Sequence, residues 1–163
     1  MPEAISNTSP LLYLHRIDAT DWLSKIFGNV WIPQTVADEL KEGSRRGHEV
    51  PKLDEYDWLI VKNPLATPSE WLSLELGPGE LAAKALALEH PERIVLLDDL
   101  LARRIAQAAG LNVWGTLKVL LEAKALGLTE KVEPLIARLR EAGMWISDDI
   151  RERILALADE LPE

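Results

Sequence analysis

Ile94-Val95-Leu96-Leu97-Asp98-Asp99 is the stretch that decides the fold. Four apolar residues in a row, without polar alternation, suit a strand covered on both faces, as in a parallel sheet. Two acids end it, and Leu100 to Ala109 then has helical spacing up to the stop Gly110. Leu111–Trp114 is the next strand candidate, and Gly115-Thr116 opens the helix Leu117–Leu126, stopped by Gly127. A strand, helix, strand, helix order implies a mostly parallel sheet between helical layers.

The same reading extends to both ends of the chain. Ala4–Ser6 is a short apolar strand, followed by Asn7-Thr8-Ser9-Pro10, where Pro10 suits the first turn of a helix capped by Thr8 or Ser9. Thr20–Phe27 reads as a helix ended by Gly28, and Val30–Ile32 as a buried strand ended by Pro33. Thr35 is placed to cap a short helix, Val36–Glu42, before a polar, basic loop from Gly43 to Pro51. Trp58–Val61 is a strand candidate, and Ser69 opens a segment that closes at Gly77-Pro78-Gly79. Glu80–Glu89 is helical, and Thr129–Arg140 and Asp148–Glu160 read as two further helices. The expectation is a three-layer α/β/α sandwich over residues 1–126, with a C-terminal helical extension, 127–163, packed on the same domain.

Composition bounds the function. The chain has 163 residues, 47% hydrophobic and 28% charged, enough to bury a core. No apolar run approaches the roughly 18 residues of a membrane span. With no cysteine, thiolate metal sites and disulfides are excluded, and three histidines (His15, His48, His90) are scattered. MPEAISNTSP has no basic region ahead of its apolar residues, so a cytoplasmic protein is expected. A net charge of −9 excludes a broad basic surface for nucleic acid, though not a local patch or a bridging cation.

Functional groups in open parallel sheets gather beyond the carboxyl ends of the strands. That rule selects Asn7-Thr8-Ser9, Asp98-Asp99 and Gly115-Thr116, with Glu39 and Glu80 on helices that follow other turns. All offer oxygen, which suits magnesium or manganese. Plainer roles stand beside this one. Asp99 and Glu80 can complement helix dipoles, Glu39 can be a solvated acid, Asn7 turn chemistry and Thr116 an N-cap. Gly77-Pro78-Gly79-Glu80-Leu81-Ala82 has the outline of a dinucleotide-binding loop, but Glu80 would place a negative charge where a pyrophosphate must sit. Lys41, Arg45, Arg46 and His48 form a local basic cluster near Glu39 that could grip a strand of RNA, or be a solvated loop.

Ile5-Ser6-Asn7-Thr8-Ser9-Pro10-Leu11, Val36-Ala37-Asp38-Glu39-Leu40, Leu76-Gly77-Pro78-Gly79-Glu80, Leu96-Leu97-Asp98-Asp99 with Ala102-Arg103-Arg104-Ile105-Ala106, and Val113-Trp114-Gly115-Thr116 together resemble the PIN-domain family. Over about residues 3–126 the chain resembles a prokaryotic branch related to VapC-type toxin ribonucleases. The resemblance implies an acidic pocket holding magnesium or manganese for cutting RNA. Glu39, Glu80 and Asp99 sit on the family's acidic positions, with Asp98 an extra acid beside them. Asn7 stands where most members have an aspartate, so the implied catalytic set is Asn7, Glu39, Glu80 and Asp99, and the implied metal-holding set adds Asp98. Thr8, Ser9 and Thr116 would line the pocket. The implied partners are an RNA substrate, a small antitoxin protein and a second copy of the chain, toward which the six tryptophans also point. The alternative is a PIN-like module, weakened by Asn7, that binds RNA or protein without cutting.

Overall fold

The computed structural model describes residues 3–66 and 77–161, so the segment from Ser69 to Leu76 lies outside the described residues. Five parallel strands run β1 (Ala4–Ser6), β2 (Val30–Ile32), β3 (Leu59–Val61), β4 (Ile94–Leu96) and β5 (Val113–Trp114). Their spatial order is β3-β2-β1-β4-β5. The register pairs Ile5 with Trp31 on one side and with Val95 on the other. Every residue of β1 and of β4 is buried, as expected of central strands covered on both faces.

Alternation along the strands divides the core in two. Ala4, Val30, Ile32, Ile94 and Leu96 face one layer; Ile5, Val95 and Leu97 face the other. The larger layer holds α1 (Thr8–Arg16), α2 (Trp22–Phe27), α3 (Gln34–Arg45), α6 (Thr116–Ala125), α7 (Glu133–Glu141) and α8 (Asp148–Leu157). The smaller layer is α4 (Pro78–Glu89) and α5 (Leu100–Ala108), packed through Ala83, Leu86, Ala87, Ala102 and Ala106. The molecule is therefore a three-layer α/β/α sandwich around a parallel sheet.

Val132, Leu135, Ile136, Leu139 and Leu155 bring the last two helices into the larger core. Glu160 fastens them. Its carboxylate accepts from the N–H groups of Val132 (2.7 Å) and Glu133 (3.0 Å) and from Lys124 Nζ (3.1 Å). Burial opposes the charge, but these donors outweigh it and hold the carboxyl below its ordinary range.

Several boundaries differ from the sequence expectation. α3 begins at Gln34 after Pro33 and continues to Arg45, so Thr35 lies inside the helix and its buried hydroxyl has no partner. Val36, Ala37 and Leu40 anchor the helix to the core, and that packing carries it past Gly43. Asn7, not Thr8 or Ser9, occupies the N-cap position of α1. α7 starts at Glu133 rather than Thr129.

Trp22, Trp58 and Trp114 pack on the larger core and Trp31 on the smaller. The Arg93 guanidinium stacks on Trp31 at 3.2 Å from the ring centre. Trp145 is exposed, at 82% of its surface. Trp71 lies outside the described residues.

Candidate active site

The strand order reverses between β1, whose chain proceeds to β2 and β3, and β4, whose chain proceeds to β5. A crevice opens at the carboxyl ends of strands at such a point. Asn7 leaves β1 there, its backbone N–H still donating to Leu96 O on β4 (3.1 Å). Its side chain makes no cap bond to α1, although the residue is buried.

Glu39 reaches the same place from α3. One carboxylate oxygen accepts from Thr8 Oγ1 on α1, and the other from Gly79 N on α4 (3.2 Å). A side chain on Gly79 would crowd these groups. A Cβ on it would lie 2.8 and 3.0 Å from the two Glu39 oxygens and 3.1 Å from Asn7 Oδ1. An amide oxygen and a carboxylate thus crowd one point over the start of α4.

Glu80 and Asp99 stand at the starts of α4 and α5, and each has a plain helical role. Asp99 is the N-cap of α5, accepting from Ala102 N at 2.9 Å. Glu80 stands three residues after the N-cap Gly77, in the first turn of a helix opened by Pro78, where an acid complements the helix dipole. They nevertheless feel each other. Burial first, then the neighbouring carboxylates of Asp99 and Glu39, push the Glu80 carboxyl above its ordinary value. Lys84, one turn along α4, is wholly buried and its Nζ has no hydrogen-bond partner. Burial drives its pKa down, while Glu80 and Asp99 pull it back up.

Asp98 points elsewhere. Its two oxygens accept from Thr116 N and Thr116 Oγ1, both at 2.7 Å. Burial raises the Asp98 carboxyl, against the Thr116 bonds and the charge of Arg103. Thr116 is the first residue of α6 and Gly115 is its N-cap, so Thr116 serves Asp98 rather than capping its own helix.

A family model described as a PIN domain matches residues 3–160. The chain belongs to the PIN-domain family. No curated protein and no solved structure matches it. PIN domains are in general nucleases that act on RNA and typically use divalent metals.

The donors of this PIN domain suit such an ion chemically. Asn7, Glu39, Glu80 and Asp99 offer hard oxygen alone, and two of them already crowd Gly79. Among the described residues no three acids lie close enough to hold an ion by themselves, so an ion would have to draw the carboxylates inward. The structure brings Asn7, Thr8 and Glu39 together at Gly79, places Glu80 and Asp99 at the starts of α4 and α5, and sets Asp98 with Thr116 to one side. Ser9 is half-buried at the start of α1. Arg45 and Arg46 each pair with Glu42, at 3.5 and 3.1 Å, and Lys41 is exposed on the same helix.

Sequence reasoning passed over Lys84, and it read Gly79 only as part of two motifs, without a role of its own in the site. Gly79 carried a signal, since Gly77-Pro78-Gly79 ahead of a strong helix spends two glycines where one N-cap would suffice. Lys84 carried one too, as the single charge in Leu81-Ala82-Ala83-Lys84-Ala85-Leu86-Ala87, spaced four residues from Glu80.

Among the described residues no helix is long and apolar enough to cross a membrane.

Proposed function

We propose that this PIN domain is a divalent-metal-dependent endoribonuclease, the toxin of a toxin–antitoxin pair. The observation that supports it most is the meeting of Asn7 Oδ1 and the Glu39 carboxylate over Gly79, with Glu80 and Asp99 alongside. Asn7, Glu39, Glu80 and Asp99 would hold a magnesium or manganese ion. Such an ion, when bound, supplies Lewis acidity for phosphodiester hydrolysis and offsets charge on the phosphate. The protein's part is positional. Thr8 and the Gly79 N–H fix the Glu39 carboxylate, the start of α5 fixes Asp99, and Gly79 leaves the space a side chain would fill. Asp98 stays a supporting acid, held by Thr116 beside the pocket.

RNA approaches a chain of net charge −9, so its phosphates need cations at the pocket. Lys41, with Arg45 and Arg46 once they leave Glu42, would supply further contacts from α3. A homodimer would cover apolar surface that is open at Trp145 and Leu157. The antitoxin rests on the resemblance to VapC-type toxins, and purification with the product of a neighbouring gene is its test.

Asn7 favours one second reading, a module that binds RNA without cutting, because the carboxamide brings no charge to the ion. Incubating pure protein with a mixed RNA pool decides between them, with manganese, with magnesium and with chelator. Fragments that appear with metal and vanish with chelator support the nuclease. Bound but intact RNA at saturating metal supports the second reading.

A further inference from the structure

A second cavity, of about 390 Å³, lies between α6 and α8. Its size is that of a small-ligand pocket, and Leu121, Ile150 and Ile154 give it apolar walls. Arg103 stands half-buried in its lining, one turn along α5 from Asp99, with its backbone N–H donating to Asp99 O (2.9 Å). Lys118 on α6 and Arg153 on α8 are exposed around it, and so is the indole of Trp145.

The cations of this cavity are unusual for the chain. Acids outnumber bases, 27 to 18, and Arg45, Arg46, Arg93, Arg138, Arg140 and Arg151 each meet a carboxylate. Among the described residues Arg103, Lys118 and Arg153 form no such pair, although Lys118 Nζ lies 5.2 Å from the centre of the Trp114 ring. Arg103 Nε is buried without a hydrogen-bond partner. The one acid in the lining, Asp98, has both oxygens occupied by Thr116. Three cations thus surround an apolar cavity beside an open aromatic face. Single-stranded nucleic acid matches that combination, with phosphates on the cations and a base on the ring. Continuity with the pocket favours RNA over an acidic protein segment. A strand with one phosphate at Asp99 finds Arg103 a single helical turn, about 5.4 Å, further on.

We propose that this cavity is a subsite for one splayed nucleotide of a single-stranded RNA, its phosphates on Arg103, Lys118 and Arg153 and its base against Trp145. The inference rests on the RNA-directed reading above and names where the strand leaves the pocket. A second copy of the chain seated on Trp145 would compete for the same surface.

The test is fluorescence anisotropy of a labelled single-stranded RNA about ten nucleotides long, in EDTA so that nothing is cut, across a salt titration. Trp145 and Arg153 are exposed, so Trp145→Ala and Arg153→Gln spare the core. Trp145→Ala should weaken binding about tenfold. Arg153→Gln should also weaken it, and should flatten the slope of log K against log salt by about 0.7, the mark of one lost phosphate contact. Arg103→Gln should do the same; if it does not fold, the two exposed variants decide. Arg138→Gln, whose guanidinium is held by Asp18, is the control and should bind as wild type does. Wild-type affinity in both exposed variants, an equal loss in Arg138→Gln, or no RNA binding by the wild type overturns the proposal. Light scattering on the same proteins reads the rival occupant. A dimer broken by Trp145→Ala with RNA binding unchanged gives the surface to a second copy and overturns the proposal. If that variant loses both, the salt slope of Arg153→Gln decides, flatter in support and unchanged against. RNA that binds through these residues yet stays intact when manganese is added defeats the nuclease reading and leaves the subsite standing. RNA cut with manganese by all variants as by wild type defeats the subsite and leaves the nuclease.

Discussion

Thr116 gives both its donors to Asp98, N–H to one oxygen and Oγ1 to the other, each at 2.7 Å. This pair ties the end of β4 to the start of α6 across the mouth of the sheet. It accounts for the tandem Asp98-Asp99. One acid is satisfied inside the protein, and the other caps α5 at the pocket. Thr116→Val keeps the shape but leaves Asp98 one donor short. We expect it to lose about 1 to 3 kcal/mol of stability in urea unfolding, the cost of an unmet buried acceptor, with Thr116→Ser losing much less. Equal stability of the two variants would show that the hydroxyl contributes nothing.

Gly79 tests the pocket separately from the fold. Alanine at a helical glycine ordinarily stabilises, by up to about 1 kcal/mol. The new Cβ would meet the Glu39 carboxylate at 2.8 Å, and that flexible end can move aside. Gly79→Ala should therefore melt at or above the wild-type temperature. Its manganese affinity and RNA cleavage should each drop by about tenfold or more, because the displaced donors no longer converge. A variant with wild-type cleavage would mean that Glu39 and Asn7 need not meet over Gly79.

The acids divide by their pH behaviour. Glu80 and Asp98 have folded values above their ordinary ones, so the folded protein holds more protons than the unfolded chain in that window. Their contribution to stability is present below the ordinary carboxylate range and is lost as pH rises through the folded values. Glu160 is lowered, so its contribution is present above the ordinary range and is lost as pH falls through the folded value. In metal-free buffer, Glu80→Gln should be no less stable than wild type at pH 7, and its relative advantage should shrink toward pH 4. Glu160→Gln should be destabilised at pH 7 and should approach wild type in acid. Urea denaturation across that range measures both, and a Glu80→Gln loss at neutral pH would mark Glu80 as a cap alone.

Asn7 offers a gain-of-function experiment. Asn7→Asp is nearly isosteric and adds a charge where Oδ1 lies over Gly79, as the Glu39 carboxylate does. Metal binding should tighten, since attraction between a carboxylate and a divalent ion at ligand distance is large even when screened. Cleavage should be as fast as wild type or faster at low manganese, with the difference closing as metal is raised. Asn7→Ala should weaken both. Identical behaviour of the two variants across a manganese titration would reduce Asn7 to turn chemistry.

Local pattern alone determined the elements. Unbroken apolar runs at Ile94–Leu96 and Val30–Ile32 marked central strands, and glycines such as Gly28, with φ of 77°, marked helix ends. These signals lie within a few residues of the structure they specify, so the α/β order was readable along the chain. The strand-end rule likewise picked out Asn7, Asp98 and Asp99 before any side chain was placed. What pattern could not supply is which end of α3 the core would extend, because the burial of Leu40 is settled by partners far away in sequence. Nor could it tell Asp98 from Asp99, adjacent and chemically identical, since the distinction is made by Thr116, eighteen residues on. Gly79 and Lys84 depended most on the tertiary structure. Steric crowding and uncompensated charge are properties of the space between α3, α4 and the ends of β1 and β4, and that space exists only once the sheet has ordered its strands β3-β2-β1-β4-β5.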